Sequence, residues 1–139
     1  MKKTFTLAVS VLVLLFLLAG CDENPIEIKE NGITRLEIYS LPNTDTYNRI
    51  YTDSEKIAVI IEYLTGLSLQ VNFPENPDEY SGMAKIITII YDDGTEVVYN
   101  HFGNMFFGIR TDDTLVWYRM KYDEAIKFEN LIQINSSDE

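Results

Sequence analysis

The apolar positions of residues 33–139 alternate between two periods, and the alternation lays out an α+β chain. Ile57, Ile60, Ile61 and Leu64 recur at i, i+3, i+4 and i+7, one face of a helix. Ahead of them, Thr52-Asp53-Ser54-Glu55 reads as a capping box, the threonine hydroxyl accepting from a backbone N–H and Glu55 reaching back. Gly66 is placed to end this helix in the left-handed conformation. Ala125, Phe128 and Ile132, with Leu131 beside them, form a second helical stripe over residues 122–132.

Between and before the helices the period is two. Ile33–Leu41 carries Ile33, Leu36 and Ile38 in an imperfect alternation and reads as a first strand, or a strand with a bulge. Residues 42–48 and 71–81, the latter holding Pro74 and Pro77, read as loops. Strands at 85–91 and 95–101 flank Asp92-Asp93-Gly94, a three-residue hairpin loop with Gly94 in the left-handed position. That register sets Tyr91 opposite Thr95, Ile89 opposite Val97 and Ile87 opposite Tyr99, which gathers apolar side chains on one face. A strand at 104–110, with Met105, Phe107 and Ile109 on one face, and a strand at Thr114–Met120 follow, joined at Thr111-Asp112-Asp113. The predicted fold is α+β: an antiparallel sheet of four to five strands with two helices packed on one face, in the order β-α-β-β-β-β-α.

The N-terminal segment follows neither period. Lys2 and Lys3 precede an apolar stretch at residues 5–18, shorter than the ~20 residues that a membrane span needs. A basic start, a short apolar core and small residues after it describe a secretory signal. Leu18-Ala19-Gly20-Cys21 closes the stretch and resembles the lipobox of bacterial lipoprotein precursors. The resemblance implies removal of residues 1–20 and a diacylglyceryl group on Cys21, which becomes the new N-terminus. It also implies a lipid-anchored location on the extracytoplasmic face of a cell membrane. Two acyl chains hold a protein stably where one is marginal. The competing reading is an ordinary signal peptide or uncleaved anchor with an incidental cysteine. Cys21 is the one cysteine of the chain, so stability must come from packing rather than a disulfide. Among enteric-type Gram-negative lipoproteins an aspartate in the place of Asp22 implies retention on the inner membrane; in a Gram-positive cell it carries no such meaning, and both cases stay open. Residues 22–31, charged and containing Pro25, read as a tether ended by the Asn31-Gly32 turn, with a reach of ~35 Å. The division is then residues 1–20 as signal peptide, 21–32 as lipidated N-terminus and tether, and 33–139 as a single α+β domain.

Charge narrows the partners. Loss of residues 1–20 removes two of the 11 basic residues and none of the 22 acidic ones, leaving a formal charge of about −13. Such a chain repels phosphate, so nucleic acid and anionic headgroups are poor ligands, whereas cations or a basic protein are compatible. The bland alternative is a solvated acidic surface that serves solubility alone.

Little catalytic chemistry is legible. His101, the single histidine, lies at a strand end without a serine in a nucleophile-elbow setting, so no catalytic residue is assigned. One histidine and a lipidated cysteine leave too few ligands for zinc. Asp92-Asp93 and Asp112-Asp113 lack the spacing of a calcium loop and fit turns, so no metal and no cofactor are expected. An enzyme working through carboxylates would need an Asp or Glu in the core; Glu37 and Glu96 are the strand candidates.

The remaining signal is the second sheet face. Ile86, Thr88, Ile90, Val98, Asn100 and Phe106 fall on it, with Trp117 and Arg119 joining if the last strand has the matching parity. A large apolar face marks a binding surface unless a loop such as 71–81 covers it. Phe106, Trp117, Arg119 and Val98 are the candidate partner-binding residues. The capped helix, the hairpin IITIIYDDGTEVVY and the closing YDEAIKFENLI resemble small lipoprotein domains of Gram-positive bacteria, a family that brings no assigned activity. The expected function is a non-enzymatic, membrane-tethered lipoprotein that binds another envelope or extracellular protein through its sheet, an inhibitor or immunity-type protein being one form. The alternatives are a small-ligand or cation-binding lipoprotein, with a pocket built on Tyr99 and Trp117, and a carboxylate enzyme.

Overall fold

A computed structural model describes residues 22–42, 47–111 and 113–134. The leader, Cys21 and Asp112 lie outside the described residues, and so do expectations that fall on them. Among the described residues the fold is α+β, with an open antiparallel sheet and two α-helices. Its strands are β1 (Asp22–Glu23), β2 (Ile33–Leu41), β3 (Arg49–Tyr51), β4 (Leu69–Gln70), β5 (Ala84–Tyr91), β6 (Glu96–Phe102), β7 (Phe106–Thr111) and β8 (Thr114–Met120). The helices are α1 (Ser54–Thr65) and α2 (Tyr122–Ile134). All eight strands join one sheet in the order β1-β4-β8-β7-β6-β5-β2-β3. The expected count of four to five strands and the order β-α-β-β-β-β-α are therefore corrected. Strands β1, β3 and β4 hold two or three residues each, too few to show a period in sequence.

The hairpin of β5 and β6 has the expected register, with Ile89 opposite Val97 and Ile87 opposite Tyr99. Gly94 sits at φ +81°, where a side chain would be strained. β2 shifts register between Ile33 and Arg35, the irregularity its imperfect alternation implied.

One sheet face carries the core. Leu36, Ile38, Ile87, Ile89, Tyr99 and Phe107 are buried beneath α1 and α2. From α1 come Ile57, Ile60, Ile61 and Leu64, and from α2 come Ala125, Phe128 and Ile132. Each fully buried aliphatic contributes about 1.5–3 kcal/mol relative to exposure. The helices lock to one another where Tyr63 stacks on Phe128 at 5.2 Å and its hydroxyl donates to the Glu124 carbonyl at 2.9 Å. Burial, followed by the charges of Glu124 and Glu129, pushes the Tyr63 pKa up, so the phenol keeps its proton and the bond its donor.

Both ends of α1 differ from expectation. The N-cap is Asp53, not Thr52: its carboxylate accepts from the backbone N–H groups of Glu55 and Lys56 at 2.9 and 3.0 Å. The helix thus starts one residue later, Glu55 falls at the second position and cannot close a capping box, and an anionic cap suits the helix N-terminus. Gly66 is right-handed, at φ −90° and ψ −1°, because the chain must turn Leu67 and Leu69 into the core and not reverse away from it.

The tether is corrected as well. Residues 22–32 are part of the domain. β1 pairs with β4, Ile26 is in the core, the Tyr99 hydroxyl donates to the Glu27 carbonyl at 3.4 Å, and Asp92 N–H donates to the Gly32 carbonyl at 2.7 Å. A Pro25-containing, charged stretch looks like linker by composition, but Ile26 and Ile28 give it enough apolar surface to pack.

Candidate functional site

Strand pairing fixes which side chains share the face away from the helices. Tyr39 stands opposite Ile86, Ile86 opposite Asn100, Asn100 opposite Gly108, and Gly108 opposite Trp117. A neighbouring row runs Leu41, Ala84, Phe102, Phe106, Arg119 and Gln70. Trp117 and Arg119 therefore do belong to this face.

The face is half covered, and the cover is the 71–83 segment. Phe73 and Tyr80 pack on Phe106 with ring centroids 5.6 and 5.3 Å away, and Phe102 stacks on it at 6.2 Å. Pro77 is buried, and the Glu75 carboxylate holds the Arg119 guanidinium at 3.0 Å. Phe106 is 1 % exposed as a result. This corrects its assignment as a partner-binding residue: it belongs to a second small core. Arg119 keeps an ion pair within the chain, and Trp117 and Val98 are half-buried.

Trp117 owes its position to Gly108. A Cβ at Gly108 would lie 2.8 Å from the indole ring, so the ring rests directly on bare backbone. Gly108→Ala is expected to displace the ring and cost about 1–3 kcal/mol. Trp117 is the one tryptophan, so the shift reads out as a change in intrinsic fluorescence alongside a lower urea midpoint.

The other half of the face is open. Tyr39, Leu41 and Ile50 are 37 %, 51 % and 52 % exposed, next to half-buried Ile86, Ile90 and Val98. Asn100, between the two halves, is buried, and its Nδ2 has no hydrogen-bond partner among the described residues. Alternation in the sequence identifies this face; of the four candidates on it Phe106 is covered, whereas Val98 borders the open half. Tyr39 and Leu41 alternate with the buried positions of β2, and Ile50 lies on a three-residue strand too short to show a period in sequence.

The core face holds a polar row that sequence reasoning missed. Ser40 pairs with Lys85, and Lys85 with His101, on three adjacent strands. All three are buried. The Lys85 ammonium bonds the Glu129 carboxylate of α2 and lies 5.7 Å from the centroid of the Tyr47 ring. Ser40 N–H donates to Asn48 Oδ1 at 3.0 Å. His101 stacks on Phe128 at 4.9 Å, and neither ring nitrogen has a hydrogen-bond partner among the described residues. Burial, and secondarily the Lys85 charge, pulls the His101 pKa down to about 3. The histidine is therefore neutral at ordinary pH and is a core side chain rather than the simple strand-end residue expected. Lys85 and Glu129 also line a cavity of about 260 Å³ with Tyr47, Met83, Gly103 and Asn104. A cross-strand row of this kind is invisible in sequence because its members are 16 or more positions apart.

The other expected sites resolve simply. Asp93 accepts from Thr95 N–H at 2.9 Å, the hydrogen bonding of a turn, and the Thr95 side chain first and this backbone bond second hold its carboxyl below the usual range. Among the described residues no group of three or more His, Cys, Asp or Glu could hold a metal ion. Glu37 pairs with Arg35 at 2.7 Å, and Glu96 is exposed, so neither is a core carboxylate. Tyr99 and Trp117 lie on opposite faces of the sheet, which rules out the aromatic pocket proposed for them. No helix among the described residues is long and apolar enough to cross a membrane.

Fold and face together define an α+β domain built on a half-covered, open-faced antiparallel sheet. No protein-family model matches the chain, nor does any curated protein or solved structure match it.

Proposed function

We propose that this chain is a lipid-anchored, non-enzymatic protein of the extracytoplasmic membrane surface that binds a basic protein through the uncovered half of its sheet. The observation that carries the reading is the exposure of Tyr39, Leu41 and Ile50 on the same sheet face of β2 and β3, with Ile50 opposite Glu37 and so diagonal to Tyr39. Three large apolar side chains on neighbouring strands, flanked by further half-buried ones, are what a protein interface uses for its desolvated centre. The charge of about −13 on the mature chain favours a basic partner, chiefly through faster encounter. The anchor rests on the lipobox at Leu18-Ala19-Gly20-Cys21.

Tyr39→Ser and Ile50→Ser together are expected to leave folding within roughly 1 kcal/mol, since both side chains are largely exposed already. The same pair should weaken partner binding at least about tenfold, the cost of removing interface anchors. The acylated chain in mild detergent serves as bait for envelope extract and culture medium, with the double variant as control. A single protein of high isoelectric point, retained by the native bait and released by salt, is the expected result. Equal retention by both baits, or retention of nothing specific, sinks the reading.

A further inference from the structure

The descent of the chain into its first strand leaves no room for a spacer. Asp22 is already opposite Gln70 and Glu23 opposite Leu69 in the β1–β4 pair. The next residues are pinned in turn. Asn24 donates to the Thr65 carbonyl and accepts from Ile26 N–H at 3.0 Å, and Ile26 is buried. Residue 21 is bonded directly to Asp22, with Cα atoms 3.8 Å apart across a trans peptide. An acylated Cys21 therefore has its lipid attached within one residue of the sheet edge, where a loose ten-residue segment would have allowed ~35 Å.

β1 is one extreme of the sheet and β3 the other. Seven inter-strand steps of ~4.8 Å separate them, about 34 Å in all. The exposed residues Tyr39, Leu41 and Ile50 lie on β2 and β3, at the far extreme.

We propose that the β1–β4 edge is the membrane-proximal edge of the domain, so that the sheet stands edge-on to the bilayer. The apolar patch on β2 and β3 is then carried roughly 30 Å above the lipid surface. This rests on the lipid-anchor reading of Cys21 and adds to it an orientation and a side of approach. The partner docks beyond the headgroups, from the extracytoplasmic space, and is not itself embedded beside the anchor. The acyl chains hold one edge at the surface, and the packed 22–32 segment leaves no slack between that edge and the lipid.

The test uses the full acylated chain in phosphatidylcholine vesicles that carry a headgroup nitroxide. Gln70→Cys and Ile50→Cys each receive a thiol-reactive fluorophore; the Cys21 sulfur, held in its thioether, does not compete. Gln70 is exposed on β4 and Ile50 on β3. Roughly threefold stronger quenching at position 70 than at position 50 is expected from their separation. Insertion of ten Gly/Ser residues between Cys21 and Asp22 should abolish the contrast. Equal quenching at the two positions, stronger quenching at position 50, or a contrast that survives the insertion overturns the orientation while leaving the anchor standing. A mature N-terminus without acyl mass overturns the anchor, and the orientation with it.

Discussion

Glu129→Ala is expected to destabilise the domain by about 3 kcal/mol, out of proportion to the exposed position that a late helix residue suggests. The reason is the partner it leaves behind. Lys85 is 4 % exposed on the core face of β5, and its ammonium is paired with Glu129. Removing one member of a buried ion pair strands an uncompensated charge, a loss of about 3–5 kcal/mol in well-buried cases. The low end applies because the Glu129 side chain keeps 22 % exposure and borders a cavity. Lys85→Met with Glu129→Leu removes both charges and should return to within about 1 kcal/mol of the native chain, since a well-packed apolar pair often equals the ionic one. Urea denaturation of the native chain, Lys85→Met, Glu129→Leu and the double variant closes a cycle that measures the coupling. A loss under about 1 kcal/mol for Glu129→Ala would mean that the ammonium relaxes into the cavity and that the row is not a buried charge network.

The parts of this fold that were legible in sequence are those whose signal is local. The β5–β6 register follows from Asp92-Asp93-Gly94 and the alternation on either side, and α1 and α2 follow from stripes at helical spacing. What escaped is non-local. β1 finds β4 across 47 residues, and a two-residue strand carries no period to betray it. Residues 22–32 look like linker because their partners, among them the Tyr99 hydroxyl and Asp92 N–H, lie far along the chain. The same limit governs the candidate face. Alternation identified a second apolar face, but which half of it stays open depends on where Phe73, Pro77 and Tyr80 fold back. They come down on Phe106, so the part that looked most like a hot spot is covered and the residues on β2 and β3 are left exposed. Helix caps lie between these cases. Thr52 and Asp53 are adjacent and both competent, and the choice of the aspartate turns on one residue of phase that the apolar stripe does not fix.

Acid should unfold the domain through His101 more than through any surface group. The ring lies between Phe128 and the sheet, with Lys85 beside it on β5 and Glu129 above Lys85 on α2, and burial pulls its pKa down to about 3. In the unfolded chain the same imidazole titrates near 6.5. The folded state therefore binds fewer protons than the unfolded state throughout the interval between those values. The resulting stability is fully present above about pH 6.5 and is lost as pH falls from there through about 3. The interval corresponds to about 4–5 kcal/mol in all, and to about 2–3 kcal/mol between pH 7 and 4.5. His101→Phe keeps an aromatic ring against Phe128 and removes the titration. Unfolding free energies of both proteins at pH 7 and pH 4.5, by urea, isolate the histidine from the many carboxylates they share. The native chain should lose about 2–3 kcal/mol more than the variant over that interval. Parallel losses would show that the imidazole is protonated without unfolding, and so that the buried face of the sheet admits water or a carboxylate to His101.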